Sequence, residues 1–154
     1  MNNYLKKCCP TKILIALDAG VENYQMLTDI AVKGARVIVL ERDRDGVEQI
    51  TETIDQLGEI DSLHIISQGC PGCLYLGNTQ LNLDTLNLYA PYLFSWFFPS
   101  VSYRSTPFLL LYGCNVAVGD AGTKFIERLH QLTAANIVSL ATDTGISSLS
   151  RLCA

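Results

Sequence analysis

The chain has 154 residues, of which 49% are apolar and only 17% charged, and its formal net charge is −4. That length suits one domain with a sizeable core, and the composition excludes a disordered chain. An acidic balance with scattered Lys and Arg leaves no electrostatic footprint for nucleic acid, so no nucleic-acid partner is expected. The longest apolar stretches, at 13–17, 108–112 and the broken run 92–98, fall far short of the about 20 residues that cross a bilayer, so no transmembrane segment is expected. Lys6 and Lys7 are not followed by an apolar leader core. The expected compartment is therefore the cytoplasm, with the six cysteines as thiols or metal ligands.

Taken in order, residues 1–11 read as an amino-terminal arm. Residues 12–17 form an apolar run of the kind buried on both faces as a parallel strand. Val21, Tyr24, Leu27 and Ala31 recur at helical spacing. The stretch 35–40 is a second, β-branched strand. Asp45 is placed to cap a helix, with Glu48 three residues on, and Val47, Ile50, Ile54 and Leu57 form its apolar stripe until Gly58 closes it. Residues 62–67 give strand three. From 70 to 83 a turn and a hairpin are expected, with Gly77-Asn78 at the tip. Residues 84–98 are helical in pattern but broken, or begun anew, at Pro91. Strand four spans 107–112, and Phe125, Leu129 and Leu132 line a helix entered through Gly119-Asp120. Strand five spans 136–141, and a Ser-rich tail covers 146–154.

Strands alternating with helices predict one α/β domain over 12–145: a three-layer sandwich around a mostly parallel sheet of five to six strands. Ligands of such sheets bind beyond the carboxyl ends of the strands, which singles out the loops at 67–73, 113–115 and 142–145. In the first of these, Cys70-Pro71-Gly72-Cys73 favours a type II turn with its end Cα atoms within about 7 Å. The two thiols are then placed to bridge or to form half of a metal site, with Cys114 as a third partner.

The segments Leu63-His64-Ile65-Ile66-Ser67-Gln68-Gly69, Leu74-Tyr75-Leu76-Gly77-Asn78 and Leu111-Tyr112-Gly113-Cys114-Asn115-Val116-Ala117, together with Asp43 to Ile50 and Gly119 to Leu132, resemble the bacterial domain-of-unknown-function family 4347. The resemblance covers roughly residues 12–145. It implies the layout of caspase- and gingipain-like cysteine peptidases, in a family found near the amino terminus of large cyanobacterial and other bacterial surface proteins. Those peptidases carry a His-Gly pair after strand three and a nucleophilic Cys after strand four. Carried onto this chain, the cysteine is Cys114, the glycine Gly69 and the histidine position Gln68. A thiol needs a neighbouring imidazole to lower its pKa and carry its proton, and a glutamine accepts no proton near pH 7. His64 lies four residues earlier in the body of the strand, and His130 belongs to the helix after strand four.

The expected function is thus a non-catalytic caspase-like-fold domain that binds another protein or joins a larger assembly, with no cofactor. The alternatives are a Cys114-dependent peptidase or self-processing domain, and a thiol or metal module using Cys70, Cys73 and Cys114. Tyr92, Leu93, Phe94, Trp96, Phe97 and Phe98 crowd one segment between Pro91 and Pro99. Side chains pointing around a whole helical circle cannot all enter one core, so residues 89–103 are expected to dock a partner through Phe94, Trp96, Phe97 and Phe98.

Overall fold

The computed structural model describes residues 12–21, 34–97, 106–112 and 115–140. In chain order its elements are β1 (Ile13–Asp18), β2 (Arg36–Leu40), α1 (Gly46–Leu57), β3 (Ser62–Ile66), β4 (Gly69–Cys70), β5 (Cys73–Leu76), β6 (Thr79–Asn82), α2 (Ala90–Ser95), β7 (Phe108–Tyr112), α3 (Gly119–Thr133) and β8 (Asn136–Leu140). The expected helix after Val21, the amino-terminal arm and the tail lie outside the described residues.

The apolar runs become the five strands of one sheet in the order β2-β1-β3-β7-β8, with every neighbouring pair parallel. Successive strand residues point to opposite faces. Leu14, Ala16, Leu63, Ile65, Leu109 and Leu111 enter a core shared with Val47, Ile50 and Ile54 of α1, Leu93 of α2, and Phe125 and Leu129 of α3. Ile15, Leu17, Ile66, Leu110 and Tyr112 form a second buried cluster. Burial on both faces explains why these strands read as continuous apolar runs and not as alternating ones. Each fully buried Leu or Ile contributes about 1.5–3 kcal/mol.

Local signals fix the helix ends. The Asp45 carboxylate accepts from the amides of Val47 at 2.8 Å and Glu48 at 3.2 Å, which satisfies two of the orphan donors of α1. Gly58, at φ 83°, ends that helix with its N–H on the Ile54 carbonyl. Pro91 does not break a helix already under way. Residues 83–89 are turns, and Pro91 sits in the first turn of α2, where its missing N–H costs nothing.

Between β3 and α2 the chain builds a separate antiparallel sheet, β4-β5-β6. The expected hairpin with Gly77-Asn78 at its tip joins β5 to β6. A further two-residue turn at Pro71-Gly72 joins β4 to β5, with Cys70 opposite Cys73. Leu74, Leu76 and Leu81 anchor this small sheet in the main core.

Its tip is locked onto the loop that precedes α1. The Asn78 amide donates to the Arg44 carbonyl at 2.9 Å, and its side chain donates to the Asp43 carbonyl at 3.1 Å. A Cβ on Gly77 would lie 2.1 Å from the Arg44 carbonyl oxygen, and one on Gly46 would lie 2.5 Å from the Leu76 backbone. Gly77 also has φ 62°, a conformation that other residues rarely adopt. Gly77→Ala is expected to cost about 3 kcal/mol or more in urea unfolding, because backbone must move on both sides. Gly58→Ala has a positive φ but open space around it, and is expected to cost about 1 kcal/mol. Equal losses in the two variants would sink the close-approach explanation.

Candidate functional site

The chain leaves β1 for one edge of the sheet and returns on its other side at β3, so the topological switch lies between these two strands. The residues at their carboxyl ends therefore line the expected site. Asp18 closes β1. It is only 6% exposed, and its carboxylate accepts from the Gly20 amide at 3.0 Å and the Gly77 amide at 2.8 Å. A buried carboxylate that takes two backbone donors is a structural tie, which pins the tip of the small sheet to the end of β1.

β3 runs out into Ser67 and Gln68. Ser67 is 2% exposed, and its Oγ is the buried side-chain polar atom left without a hydrogen-bond partner among the described residues. Such a group costs about 1–3 kcal/mol of desolvation. Gln68 is exposed, with its carbonyl accepting from the Tyr75 amide at 3.0 Å. Its side-chain oxygen reaches toward Gly20, 3.8 Å from the point that a Cβ there would occupy. Gln68 thus stands at the mouth of the switch point with an amide side chain.

Both histidines are engaged in contacts of their own. His64 is on β3 opposite Leu110 of β7, with Nδ1 2.9 Å from the Tyr112 hydroxyl, Nε2 3.4 Å from the Ser62 hydroxyl, and its ring stacked on Tyr112. Burial lowers its pKa to about 4, so it is neutral at pH 7. His130 donates from Nδ1 to the Ala135 carbonyl at 2.7 Å, which closes the carboxyl end of α3. Cys114 lies outside the described residues, as does Gly113. The structure resumes at Asn115, with φ 47°, and Val116.

Cys70 and Cys73 are brought together. They are paired in register, both are free thiols, and Cys70 is exposed while Cys73 is buried. Among the described residues, no group of three or more His, Cys, Asp or Glu side chains is placed to hold a metal.

The aromatic segment needs a correction. Trp96 and Phe97, expected at a partner surface, are each 1% exposed and belong to the main core. The reason is the turn before Ala90: α2 is short, and its last residues swing inward over α1. There the Trp96 indole N–H donates to Thr51 Oγ1 at 2.9 Å, and Thr51 in turn donates to the Val47 carbonyl. Phe94 is 62% exposed, and Leu88 on the preceding turn is 73% exposed. Phe98 lies outside the described residues. Leu88 is the candidate that the sequence reading missed; its spacing to Phe94 matches no single helix, because a turn separates them.

The fold and switch-point geometry define an α/β sandwich whose site would lie at the carboxyl edge of a parallel sheet. A family model described as domain of unknown function DUF4347 matches residues 14–150, and the chain belongs to that family. No curated protein and no solved structure matches the chain. No helix among the described residues is long and apolar enough to cross a membrane.

The neutral His64 generates a pH prediction. Its folded pKa is near 4 and its unfolded value near 6.5, so protons bind the unfolded chain preferentially between them. Its contribution is fully present above about pH 6.5 and is lost as pH falls toward 4, by no more than about 3 kcal/mol. Urea midpoints of the wild-type chain should fall more steeply over that window than those of His64→Gln. Parallel curves would show that His64 is not protonated on unfolding.

Proposed function

We propose that this chain is a non-catalytic member of its family that works as a protein-binding or assembly domain on a caspase-like scaffold, in the cytoplasm. Gln68 at the end of β3 supports the non-catalytic half. It can orient a neighbouring group by hydrogen bonding but cannot take a proton from a thiol, and loss of a base typically costs about two to four powers of ten in rate.

The observation that carries the binding half is the concentration of exposed apolar side chains within residues 83–94. Leu83 and Tyr92 are each 39% exposed, Leu88 73% and Phe94 62%. Tyr92 and Phe94 lie on α2 and Leu83 and Leu88 in the turns before it, and the fully buried Leu93 holds that helix on the core. Aromatic and aliphatic groups on such a rigid base suit a contact patch, since little side-chain freedom remains to be lost on binding. The docking surface proposed here overlaps residues 89–103 through Tyr92 and Phe94 and extends toward the amino terminus to Leu83.

Affinity isolation from native cells tests this. The wild-type chain should bring down a defined protein set, and Leu88→Glu with Phe94→Glu should lose it, at about 2 kcal/mol or more per anchor. The melting temperature should stay within a degree or two, because neither side chain belongs to the core. Recovery of the same proteins with both variants would place the contact elsewhere. For the non-catalytic half, Cys114 should react with iodoacetamide at pH 6 no faster than an ordinary thiol. Rapid labelling, together with peptide cleavage abolished in Cys114→Ala, would establish the peptidase instead.

A further inference from the structure

Cys70 and Cys73 flank a two-residue turn and sit directly opposite one another on β4 and β5. Opposed residues of an antiparallel pair have Cα atoms about 4.5–5.5 Å apart and side chains on one face. A disulfide needs about 4.4–6.8 Å, so the fold already holds the bridging distance while both sulfurs are free thiols. Tyr75 shares that face of β5, with its hydroxyl 3.8 Å from Cys70 Sγ. Leu74 and Leu76 occupy the other face and are fully buried, which fixes β5 and with it the position of Cys73.

We propose that Cys70 and Cys73 form a reversible dithiol–disulfide couple that exchanges with a small-molecule disulfide of the glutathione type, and that its closure is felt at the start of α3. This does not rest on the partner surface at 83–94. Cys70 is exposed and reacts first. Its thiolate, accepting a hydrogen bond from Tyr75, attacks one sulfur of the small disulfide. That S–S bond breaks, one thiol leaves, and Cys70 carries the other half as a mixed disulfide. Cys73 then gives up its proton and attacks the Cys70 sulfur, which expels the second thiol and closes the Cys70–Cys73 bond. Two electrons and two protons pass from the protein to the small disulfide, which becomes two thiols. Burial, reinforced by the neighbouring Cys70 sulfur, holds the Cys73 thiol up, which suits it to the second step and not the first.

The turn is coupled to its surroundings at one point. The Gly72 amide donates to the Val116 carbonyl at 2.8 Å, and a Cβ on Gly72 would lie 3.0 Å from the Ala121 carbonyl oxygen. The backbone between the two sulfurs is therefore in contact with both the segment after Cys114 and the first turn of α3. A change in the turn that accompanies closure of the disulfide ring therefore reaches that contact.

The test uses the full chain in glutathione redox buffers of graded potential, quenched by acid and alkylated. Cleavage after Arg44 and Arg104 gives one peptide that contains Cys70 and Cys73 and no other cysteine. It should lose the mass of two hydrogen atoms and resist alkylation above one defined potential, and should recover both on reduction. Cys73→Ser and Cys73→Ala should instead accumulate a stable glutathione adduct on Cys70, and Tyr75→Phe should slow closure several-fold at neutral pH. Amide exchange over 116–122 should change on oxidation of the wild type and not of Cys73→Ala. Free alkylation of both thiols throughout, or glutathione adducts in the wild type that never close, would overturn the couple. Closure with unchanged exchange at 116–122 would overturn the coupling to α3.

Discussion

The contact between the loop at 41–46 and the tip at 77–78 holds the candidate site together. At Gly46 and Gly77 two backbones approach closer than any side chain allows. Four polar side chains then close the space around them. Asp45 caps α1 and also accepts from the Tyr89 hydroxyl, and Asp18 holds the Gly77 amide. Gln49, 7% exposed, takes the Glu41 amide at 2.7 Å and donates to the carbonyls of Glu41 and Arg44. Asn78 reaches back to residues 43 and 44. Every buried side-chain polar atom in this junction has a partner, and in a low-dielectric setting that makes the junction rigid. The exposed Arg44–Glu52 and Arg44–Glu41 pairs add little, because solvent screens them.

From this junction the rest follows in order. α1 starts where Asp45 places it and lays Val47, Ile50 and Ile54 on the sheet. The small antiparallel sheet is fixed at its tip and along Leu74, Leu76 and Leu81. Its first strand, β4, begins one residue after Gln68, so the candidate position at the end of β3 cannot shift without dragging the junction. Ser67, buried with a hydroxyl that has no partner among the described residues, is tolerated in the same frame. Rigidity paid for elsewhere is what allows a locally unfavourable group to persist.

Much of this was legible in the sequence where a residue's chemistry acts within a few positions of itself. Asp45 as the cap of α1, Gly58 as its end and Gly77-Asn78 as a hairpin tip each specify a local geometry that the structure shows. The β-branched and leucine runs gave the parallel sheet, because burial on both faces removes the polar alternation that would otherwise confuse the reading. What escaped depended on contacts distant along the chain. Trp96 and Phe97 look like part of an all-round apolar helix, yet the turns at 83–89 rotate α2 so that Trp96 finds Thr51, 45 residues earlier. Pro71-Gly72 signals a turn, but its use as a strand-to-strand connection has no sequence signal, since β4 has only two residues. Asp18 carried no motif at all; its role exists only because Gly77 arrives beside it.

The same junction explains why the fold makes no demand on the side chain at residue 68. Suppose the glycine contacts served only to aim a catalytic pair. Then their cost, in backbone entropy at Gly46, Gly72 and Gly77, would have no structural return once the base was gone. Here they have one. Gly46 and Gly77 let Leu76 and the amino end of α1 reach the core together, and Gly72 lets the β4–β5 turn rest on the carbonyls of Val116 and Ala121. These are stability contacts that run through the site without using its chemistry. A frame of this kind is indifferent to whether residue 68 takes protons, because its Gln68 contribution is the backbone carbonyl bonded to Tyr75. Side chains on that frame are therefore free to serve binding or thiol chemistry, since the fold constrains the positions and leaves the reactivity open.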